Sequence, residues 1–461
     1  MKNFRFVDLF CGGGGSITGA INALKKAGID YEGRCFNHWE LAIKTIAANH
    51  AEMVPDFERA CADIAEISAS PWSVFENDPQ RIDVLWASPS CTHHSNAAGG
   101  TPRSNQLRSQ PEHLLPFLRL TQCRRMFVEN VKELKSWGPL LDKDTWYKGK
   151  KYKAGQADPR KAGLFFNDWI RDVKHSGYHV DMAVMNAADY GSATSRERLI
   201  IQAVRKSTGE KIIWPEQTHS KEPELFGYKP WRTAAEIIDW SIPGESIFDR
   251  KKPLCKNTLR RIEAGIKKYC GAWAELFIAA LHNEDKYIEI PHGEISPFLS
   301  RYNGGEDRNH DVSSPIPVID CSNRYSVVTP LFIPQQSAGT VKPTNNPLST
   351  IATAGATGLV QPFLTAYYGN GFTVPVSDPT PTICTKDRFA LIQGRILIMP
   401  DDRRYKLDIT HRMLTSRELA AATGFPQDYK FAGSDTDAKK MIGNAVCPDL
   451  AEALYSAVLS A

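Results

Sequence analysis

The stretch Phe4-Arg5-Phe6-Val7-Asp8-Leu9-Phe10-Cys11-Gly12-Gly13-Gly14-Gly15 decides the fold class of this 461-residue chain. An apolar run of strand type leads directly into four glycines, and a helical pattern follows that ends before Gly28. Glycines after a first strand let the backbone approach a ligand closely, and the helix N-terminus behind them favours negative charge. The stretch predicts the first strand, loop and helix of an α/β domain, with Ser16 as the helix N-cap.

Alternating strand and helix patterns continue from this stretch to about residue 205. The alternation predicts a parallel sheet covered by helices on both faces, which binds ligands at the carboxyl ends of its strands. Helical patterning returns after residue 396, with one helix opening at Ser416 and a last helix starting after Pro448. The predicted strands are 4–10, 33–37, 82–87, 125–129, 178–185 and 198–204.

Residues 206–395 are set apart by composition and form a predicted β-rich insert. Residues 250–268 are rich in Lys and Arg, which fits either a solvated helix face or contact with phosphates. Farther on, a unit of about 32 residues occurs three times, starting at Pro297, Pro330 and Pro362. We therefore expect one domain of residues 1–205 plus 396–461, and a second domain of residues 206–395 that contains the three repeats.

Cys91 stands in a tight turn at the end of the predicted strand 82–87 and opens a polar loop. A thiol placed at such a strand end is positioned to act as a nucleophile. His93, His94 and Arg103 follow it, and no acid occurs from Thr92 to Pro111, so we expect the thiolate to be favoured. The alternative is a buried, inert cysteine, which is the commoner fate of a lone cysteine.

Glu129 ends another apolar strand, where a carboxyl is costly unless it is paired or protonated. Arg196 and Arg198 are two residues apart, so both point to the same side of a strand. They could fix Glu129, bind a base carbonyl or hold a phosphate. Cys91, Glu129 and the glycine loop all lie at strand ends, which describes an active site better than a core.

Two further strand-end residues suit an adenosine moiety. Trp39 offers a stacking face and Asp63 an acceptor for an exocyclic amine, although core packing explains Trp39 equally well. The glycines do not follow the G-x-G-x-x-G spacing, which makes a nicotinamide-dependent dehydrogenase remote.

Composition excludes several classes of protein. The net charge of +4 permits a polyanionic partner without proving one. The ten cysteines form no C-x-x-C pair, so a zinc ribbon or dithiol site is not expected, and we predict no metal. The sequence shows no signal peptide and no apolar stretch of about 18 residues that could span a bilayer. We therefore expect a cytoplasmic protein without membrane contact.

Taken in order, these motifs resemble those of the DNA cytosine-5 methyltransferases of bacterial or phage type, over roughly residues 4–205 and 411–461. The resemblance implies a Rossmann-like S-adenosylmethionine-dependent methyltransferase domain with a large inserted β-rich target-recognition domain. The positions matching catalytic residues of the family are Cys91, Glu129, Arg196 and Arg198. The positions matching cofactor-binding residues are Phe10, Gly12, Gly14, Trp39, Glu40, Asp63 and Asn444.

The resemblance implies methyl transfer from S-adenosylmethionine to carbon-5 of cytosine at a specific sequence of double-stranded DNA. The reaction would pass through a covalent adduct of Cys91 with a flipped-out base, in a bacterial or phage-infected cell. We expect a monomer, with a cognate restriction endonuclease as a candidate partner. Two alternatives stay open, namely an RNA cytosine-5 methyltransferase and a non-catalytic DNA-binding relative.

The chain departs from the family pattern at four positions. Ser90 and Thr92 flank Cys91 where the family has proline and glutamine, and Thr194 replaces a glutamine before the arginine pair. His38 stands where the family has the acid that holds the cofactor ribose, and Glu40 is the nearest replacement.

Overall fold

The chain folds into two compact units. The first comprises Met1–Ile237, Ser377–Asp387 and Thr415–Ala461, and the second comprises Ile238–Val376 and Arg388–Leu414. The computed structural model describes residues 3–71, 74–75, 82–90, 110–225, 227–269, 274–282, 287–288, 298–301, 309–311, 325–328, 331–334, 342–343, 357–358, 363–366, 373–381, 383, 389–398 and 405–460.

The unit boundaries lie at other positions than the predicted 205 and 396. Two segments outside the predicted bounds pack with the first unit through backbone hydrogen bonds. Ala234 N–H donates to the carbonyl of Asp378 over 2.8 Å, and Thr380 N–H donates to the carbonyl of Ala193 over 2.8 Å. A composition shift does not reveal such pairings, because they join residues far apart in the chain.

A six-stranded sheet with the order β2-β1-β3-β4-β6-β5 forms the centre of the first unit. All six strands lie within two residues of their predicted bounds. The strands are β1 (Phe4–Leu9), β2 (Tyr31–Phe36), β3 (Val84–Ala87), β4 (Arg125–Asn130), β5 (Tyr178–Asn186) and β6 (Glu197–Arg205). The predicted α/β class is therefore confirmed.

The sheet is mixed, so the prediction of a wholly parallel sheet is wrong. β1 pairs in parallel with β2 and β3, and β3 pairs in parallel with β4. β6 pairs antiparallel with both β4 and β5. The chain between β5 and β6 makes only the short turn Ala187–Tyr190, and without a crossover helix the next strand must run back.

Alternating side chains of the strands fill a core on each face of the sheet. On one face, Phe6, Trp86 and Phe127 are fully buried against the first and last helices of the chain. On the other face, Val7 and Leu85 belong to a second core. This period of two is what places every second residue of a strand on the same face.

Helices cover both faces of this sheet, and the first core includes Ile17 and Leu24 from the first helix and Leu454 and Tyr455 from the last. The helices of eight or more residues in the first unit are α1 (Gly15–Lys26), α2 (Glu40–Asn49), α3 (Leu114–Thr121), α4 (Leu164–His175), α7 (Ser416–Thr423), α8 (Asp435–Asn444) and α9 (Pro448–Leu459). Shorter helices and strands are Phe57–Ala60, Ile64–Ala69, Thr145–Tyr147, Lys150–Tyr152, His219–Ser220 and Lys229–Pro230.

The start of α1 differs from the sequence-based expectation. Gly14 is the N-cap, and its φ of 84° lies in the left-handed region that glycine adopts most readily. Ser16 lies inside the helix, and its hydroxyl donates to the carboxyl of Asp8. The prediction of Ser16 as N-cap is wrong because the helix begins one residue earlier, at Gly15.

The second unit is built around the antiparallel pair β7 (Phe389–Ile398) and β8 (Tyr405–Met413). The helices α5 (Lys256–Tyr269) and α6 (Ala274–His282) pack against this sheet through Ile262, Ile266 and Phe277. Other strands of the unit are Glu245–Ser246, Tyr287–Ile288, Phe298–Arg301, Asn309–Asp311, Tyr325–Val328, Leu331–Pro334, Lys342–Pro343, Thr357–Gly358, Phe363–Ala366 and Thr373–Pro375.

The internal repeat appears in the strands of the second unit. Phe298–Arg301, Leu331–Pro334 and Phe363–Ala366 each begin one residue after the predicted start of one repeat. Three strands of four residues, spaced 32 or 33 residues apart, support three copies of one β unit.

In the part of the chain that the structure describes, no helix is both long enough and apolar enough to cross a bilayer.

Candidate active site

A buried ion pair lies at the end of β4, where a free carboxylate would be costly. Nε of Arg198 lies 2.8 Å from Oε1 of Glu129, and the two residues are only 8% and 5% exposed. Glu129 pairs with Ile200 across the β4–β6 ladder, so Arg198, two residues before Ile200, is its diagonal neighbour on the same face. The reversed direction of β6 therefore brings the predicted carboxylate and this arginine together.

Asn130, next to Glu129, holds the turn that follows β3. Its Nδ2 donates to the carbonyl of Pro89 over 2.9 Å, and its Oδ1 accepts the N–H of Val131 over 2.9 Å. The turn therefore has a fixed position relative to the end of β4. The predicted nucleophile Cys91, with His93, His94 and Arg103, lies outside the described residues.

Arg196 contacts different groups from Arg198. Its buried Nη1 donates to the carbonyl of Ile383 over 2.9 Å and to the carbonyl of Gly443 over 3.0 Å. Nearby, Thr194 Oγ1 donates to the carbonyl of Pro381 over 3.0 Å, and Ser195 N–H donates to the carbonyl of Thr380 over 2.8 Å. We call this set the return junction, made of residues 193–196, Thr380, Pro381, Ile383 and Gly443.

The glycine loop divides into one glycine that faces open space and three that face protein. A Cβ on Gly12 would meet no atom closer than 3.9 Å, whereas one on Gly15 would lie 2.0 Å from the carbonyl oxygen of Val446. A Cβ on Gly14 would lie 2.5 Å from the hydroxyl of Tyr429, and one on Gly13 would lie 3.1 Å from Cβ of Met441. Of these four glycines, Gly12 is therefore the one with open space where a side chain would be.

Phe10, at the start of the loop, adopts a conformation that side-chain-bearing residues rarely take. Its φ is 61°, and Gly12 follows with a φ of 51°. Non-glycine residues in the left-handed region are uncommon and concentrate at functional positions. The strain at Phe10 supports its prediction as part of a binding loop.

The remaining predicted cofactor residues lie on three segments of the first unit. The ring of Trp39 is half-buried, and Nζ of Lys440 lies 4.3 Å from its centroid. Glu40 is exposed in the first turn of α2, where its carboxylate pairs with Lys44 over 2.6 Å. Asp63 is exposed and accepts the N–H of Ala65 over 2.9 Å. Asn444 is exposed at the end of α8.

Asp8 is a buried carboxyl that the sequence analysis did not single out. Its pKa is raised to about 8, mainly by burial; the hydrogen bond from Ser16 acts to lower it and the nearby charge of Glu129 acts to raise it. Its Oδ1 has no hydrogen-bond partner among the described residues. The sequence signal that could have identified Asp8 is an acidic residue inside an otherwise apolar strand.

The described part of the chain contains no cluster of three or more His, Cys, Asp or Glu side chains that could hold a metal ion.

The sequence of the chain matches the model of a known protein family. Residues 157–460, more than half of the chain, match the family model described as C-5 cytosine-specific DNA methylase. Cys91 and Glu129 precede the matched range, so their roles rest on their own motifs. Among curated proteins, Type II methyltransferase M.BsuRI of Bacillus subtilis is 38% identical over 76 residues, which is 16% of this chain and 17% of that protein.

A longer match links the chain to Type II methyltransferase M.HgiCII of Herpetosiphon aurantiacus. The two are 26% identical over 287 residues, which is 60% of this chain and 53% of that protein. The chain thus spans about half or less of the length of these two relatives. Among solved structures, a putative DNA modification methyltransferase encoded within a prophage of E. coli is 17% identical, with 99% of both chains covered and a TM-score of 0.45.

Proposed function

Because the chain belongs to the C-5 cytosine-specific DNA methylase family, we propose that it transfers a methyl group from S-adenosylmethionine to carbon-5 of cytosine in double-stranded DNA at a specific sequence. The observation that carries the proposal is the buried Glu129–Arg198 pair beside the turn that leads into Cys91. A family of DNA methylases favours DNA over RNA as the substrate. A Glu129 carboxylate kept in the core by its arginine favours an enzyme over a non-catalytic relative.

The target atom determines what the protein must supply. Carbon-5 of cytosine is a poor nucleophile until the ring becomes electron-rich. Addition of the Cys91 thiolate to carbon-6 forms an S–C bond and makes carbon-5 nucleophilic. Once carbon-5 carries the methyl group, its proton passes to water, the S–C bond to carbon-6 breaks and the Cys91 thiolate leaves. The base must lie outside the duplex for this attack, so we propose that the target cytosine is flipped out.

Glu129 acts on the opposite side of the ring. Its carboxyl protonates or hydrogen-bonds ring N3 and contacts the exocyclic amine, so that negative charge does not build up during the attack. Arg198 holds this carboxyl by the 2.8 Å contact of its Nε and leaves other guanidinium donors for the base carbonyl. Arg196 acts as a positioning residue, since its Nη1 is bonded to backbone carbonyls.

The residues of the glycine loop and of α2 fit S-adenosylmethionine. The open side of Gly12 leaves space beside a strained loop, the half-buried Trp39 ring offers a stacking face, and Asp63 offers an exposed acceptor. Phe10, Gly14, Glu40 and Asn444 complete the proposed set. When bound, the cofactor supplies an activated methyl group. Trp39 and Asp63 hold its adenosine, so that Cys91 and Glu129 need to orient only the base.

We assign target recognition to the second unit, with its three β repeats and the basic helix α5. Lys267 on that helix pairs with Glu263 over 2.7 Å, while Arg260 is exposed and suited to a phosphate. We further propose a monomer that acts without a metal ion in the cytoplasm of a bacterial or phage-infected cell. A cognate restriction endonuclease is a candidate partner.

Bisulfite sequencing of host DNA after expression tests the proposal. The parent protein should protect cytosines within one sequence motif, and a Cys91→Ala variant expressed at the same level should protect none. An unchanged pattern with the parent protein, or equal protection with Cys91→Ala, would contradict the proposed reaction.

A further inference from the structure

One peptide group at the end of the turn after β3 is held on both sides by side chains. The carbonyl of Pro89 accepts from Nδ2 of Asn130 over 2.9 Å. The N–H of Ser90, which belongs to the same peptide plane, donates to Oε1 of Gln110 over 2.7 Å. The C=O and N–H of a trans peptide point in opposite directions, so the two contacts fix the orientation of the plane.

The second clamp, Gln110, comes from a different part of the chain. It begins the short turn Gln110–His113 that leads into α3, and Asn130 ends β4. Pro89 is buried, and Ser90 and Gln110 are half-buried, so water competes only partly for these hydrogen bonds. The amide of Gln110 must present its oxygen here, because its nitrogen would face another donor.

Ser90 is what makes this contact possible. A proline at position 90, the residue that the family pattern has there, carries no N–H and could not donate to Gln110. The Ser90 N–H is thus a donor that this chain gains by departing from the pattern, and Gln110 accepts it.

We propose that Gln110 is a positioning residue for the Cys91 nucleophile: together with Asn130 it clamps the Pro89–Ser90 peptide plane, from which the chain runs directly into Cys91. The inference rests on the proposed function, since it takes Cys91 as the attacking thiol. Covalent attack needs the reacting atoms near contact distance and aligned, and a displacement of about 1 Å can cost on the order of a hundredfold in rate. Release of this plane therefore slows thiol attack rather than binding.

The experiment measures how fast Cys91 bonds to DNA in which 5-fluorodeoxycytidine replaces deoxycytidine. Fluorine at carbon-5 cannot leave as a proton does, so the thiol adduct accumulates in the presence of S-adenosylmethionine. Gln110→Met keeps the length of the side chain and removes the acceptor. Ser90→Pro removes the donor, and Gln110→Glu retains an acceptor and serves as the rescue variant.

Gln156 supplies a matched control. Its Oε1 accepts the N–H of Lys153 over 2.8 Å, which is the same type of bond in an exposed part of the same unit. Gln156→Met therefore removes an equivalent contact without touching the turn before Cys91. Binding of S-adenosylmethionine, measured by isothermal titration calorimetry, and the melting temperature are recorded for every variant.

We expect Gln110→Met and Ser90→Pro each to slow adduct formation about tenfold or more, with cofactor affinity unchanged. The double variant should be no slower than either single variant, because both remove one and the same hydrogen bond. Gln110→Glu should recover most of the rate, and Gln156→Met should behave like the parent protein.

Three results would overturn the inference: parent-like rates in both single variants, additive losses in the double variant, or an equal loss in Gln156→Met. A parent protein that forms no adduct at all would instead contradict the proposed function. The failure of the inference and the failure of the proposed function are therefore distinguishable.

Discussion

Arg196 and Arg198 lie two residues apart and are both buried, yet they belong to different regions. Arg198 pairs with the Glu129 carboxylate at the end of β4. Arg196 donates to the carbonyls of Ile383 and Gly443 in the return junction. Two buried arginines close together in the sequence can therefore have different roles. The group that each guanidinium meets decides its role, and that group comes from β4 in one case and from late segments of the chain in the other.

The largest expected effect comes from Glu129→Gln. The amide oxygen can still accept from Arg198, so the free energy of unfolding should stay within about 1 kcal/mol of the parent value. The amide cannot deliver a proton to the ring, so methyl transfer should fall by about 10²- to 10⁴-fold. Transfer of tritiated methyl to DNA and urea unfolding measure the two quantities. A loss of stability as large as the loss of activity would mean that Glu129 only supports the fold.

Arg196→Met tests the return junction. It leaves two buried carbonyls without this donor, at about 1–3 kcal/mol each, so the free energy of unfolding should fall by about 2–6 kcal/mol. Glu197 lies between the two arginines and forms an exposed pair with Lys132, so Glu197→Gln is the control and should change stability by less than about 1 kcal/mol. If Arg196→Met unfolds like the parent protein but loses methyl transfer, the division of tasks between the arginines is wrong.

The glycine loop also contains one residue expected to affect mainly stability, Gly14, and one expected to affect cofactor binding as well, Gly12. Gly14→Ala should destabilise the protein by about 2–4 kcal/mol, since it adds a clash with Tyr429 to the cost of a positive φ. Gly12→Ala has no such clash and should cost about 1–2 kcal/mol in stability, while weakening the binding of S-adenosylmethionine. Thermal unfolding and cofactor titration separate the two variants. Combining Gly14→Ala with Tyr429→Phe should restore part of the lost stability.

The last expected effect is a pH dependence of stability from Asp8, whose carboxyl interacts electrostatically with Glu129. Its pKa is raised from 3.8 to about 8, so the folded state holds this proton more tightly than the unfolded state. The associated stability is present below the ordinary pKa and is lost as the pH rises toward 8. The Asp449 pKa, raised by burial to about 6, accounts for only the lower part of this window. Urea unfolding from pH 6 to 8.5 should show a decline that Asp8→Asn largely removes; equal slopes in both proteins would contradict the buried, protonated carboxyl.

The six strands of the central sheet could be predicted from the sequence because each is a short, largely apolar run with its own breakers. The reversed direction of β6 was less accessible, since it follows from the lack of a crossover helix rather than from any residue in the strand. The repeat of the second unit was visible because similar strand starts recur at a fixed interval, as in Phe298–Arg301 and Leu331–Pro334.

The pairing of Glu129 with an arginine was predictable, because a carboxyl at the end of an apolar strand is costly without a partner. The partners of Arg196 were not, because Ile383 and Gly443 reach it through contacts between distant parts of the chain. The same holds for the glycines, since Tyr429, Met441 and Val446 explain three of them. The role of Gln110 could not be predicted from the sequence, because nothing in the sequence shows that its side-chain oxygen accepts the N–H of Ser90.

A covalent link between Cys91 and the target base is the most direct test of the central claim. DNA carrying 5-fluorodeoxycytidine is incubated with the protein and S-adenosylmethionine, denatured and digested, and the linked peptide is identified by mass spectrometry. The account predicts one denaturation-resistant adduct on the peptide that contains Cys91, and none in Cys91→Ala. Methyl transfer to ordinary DNA without such an adduct, or an adduct on another cysteine, would contradict it.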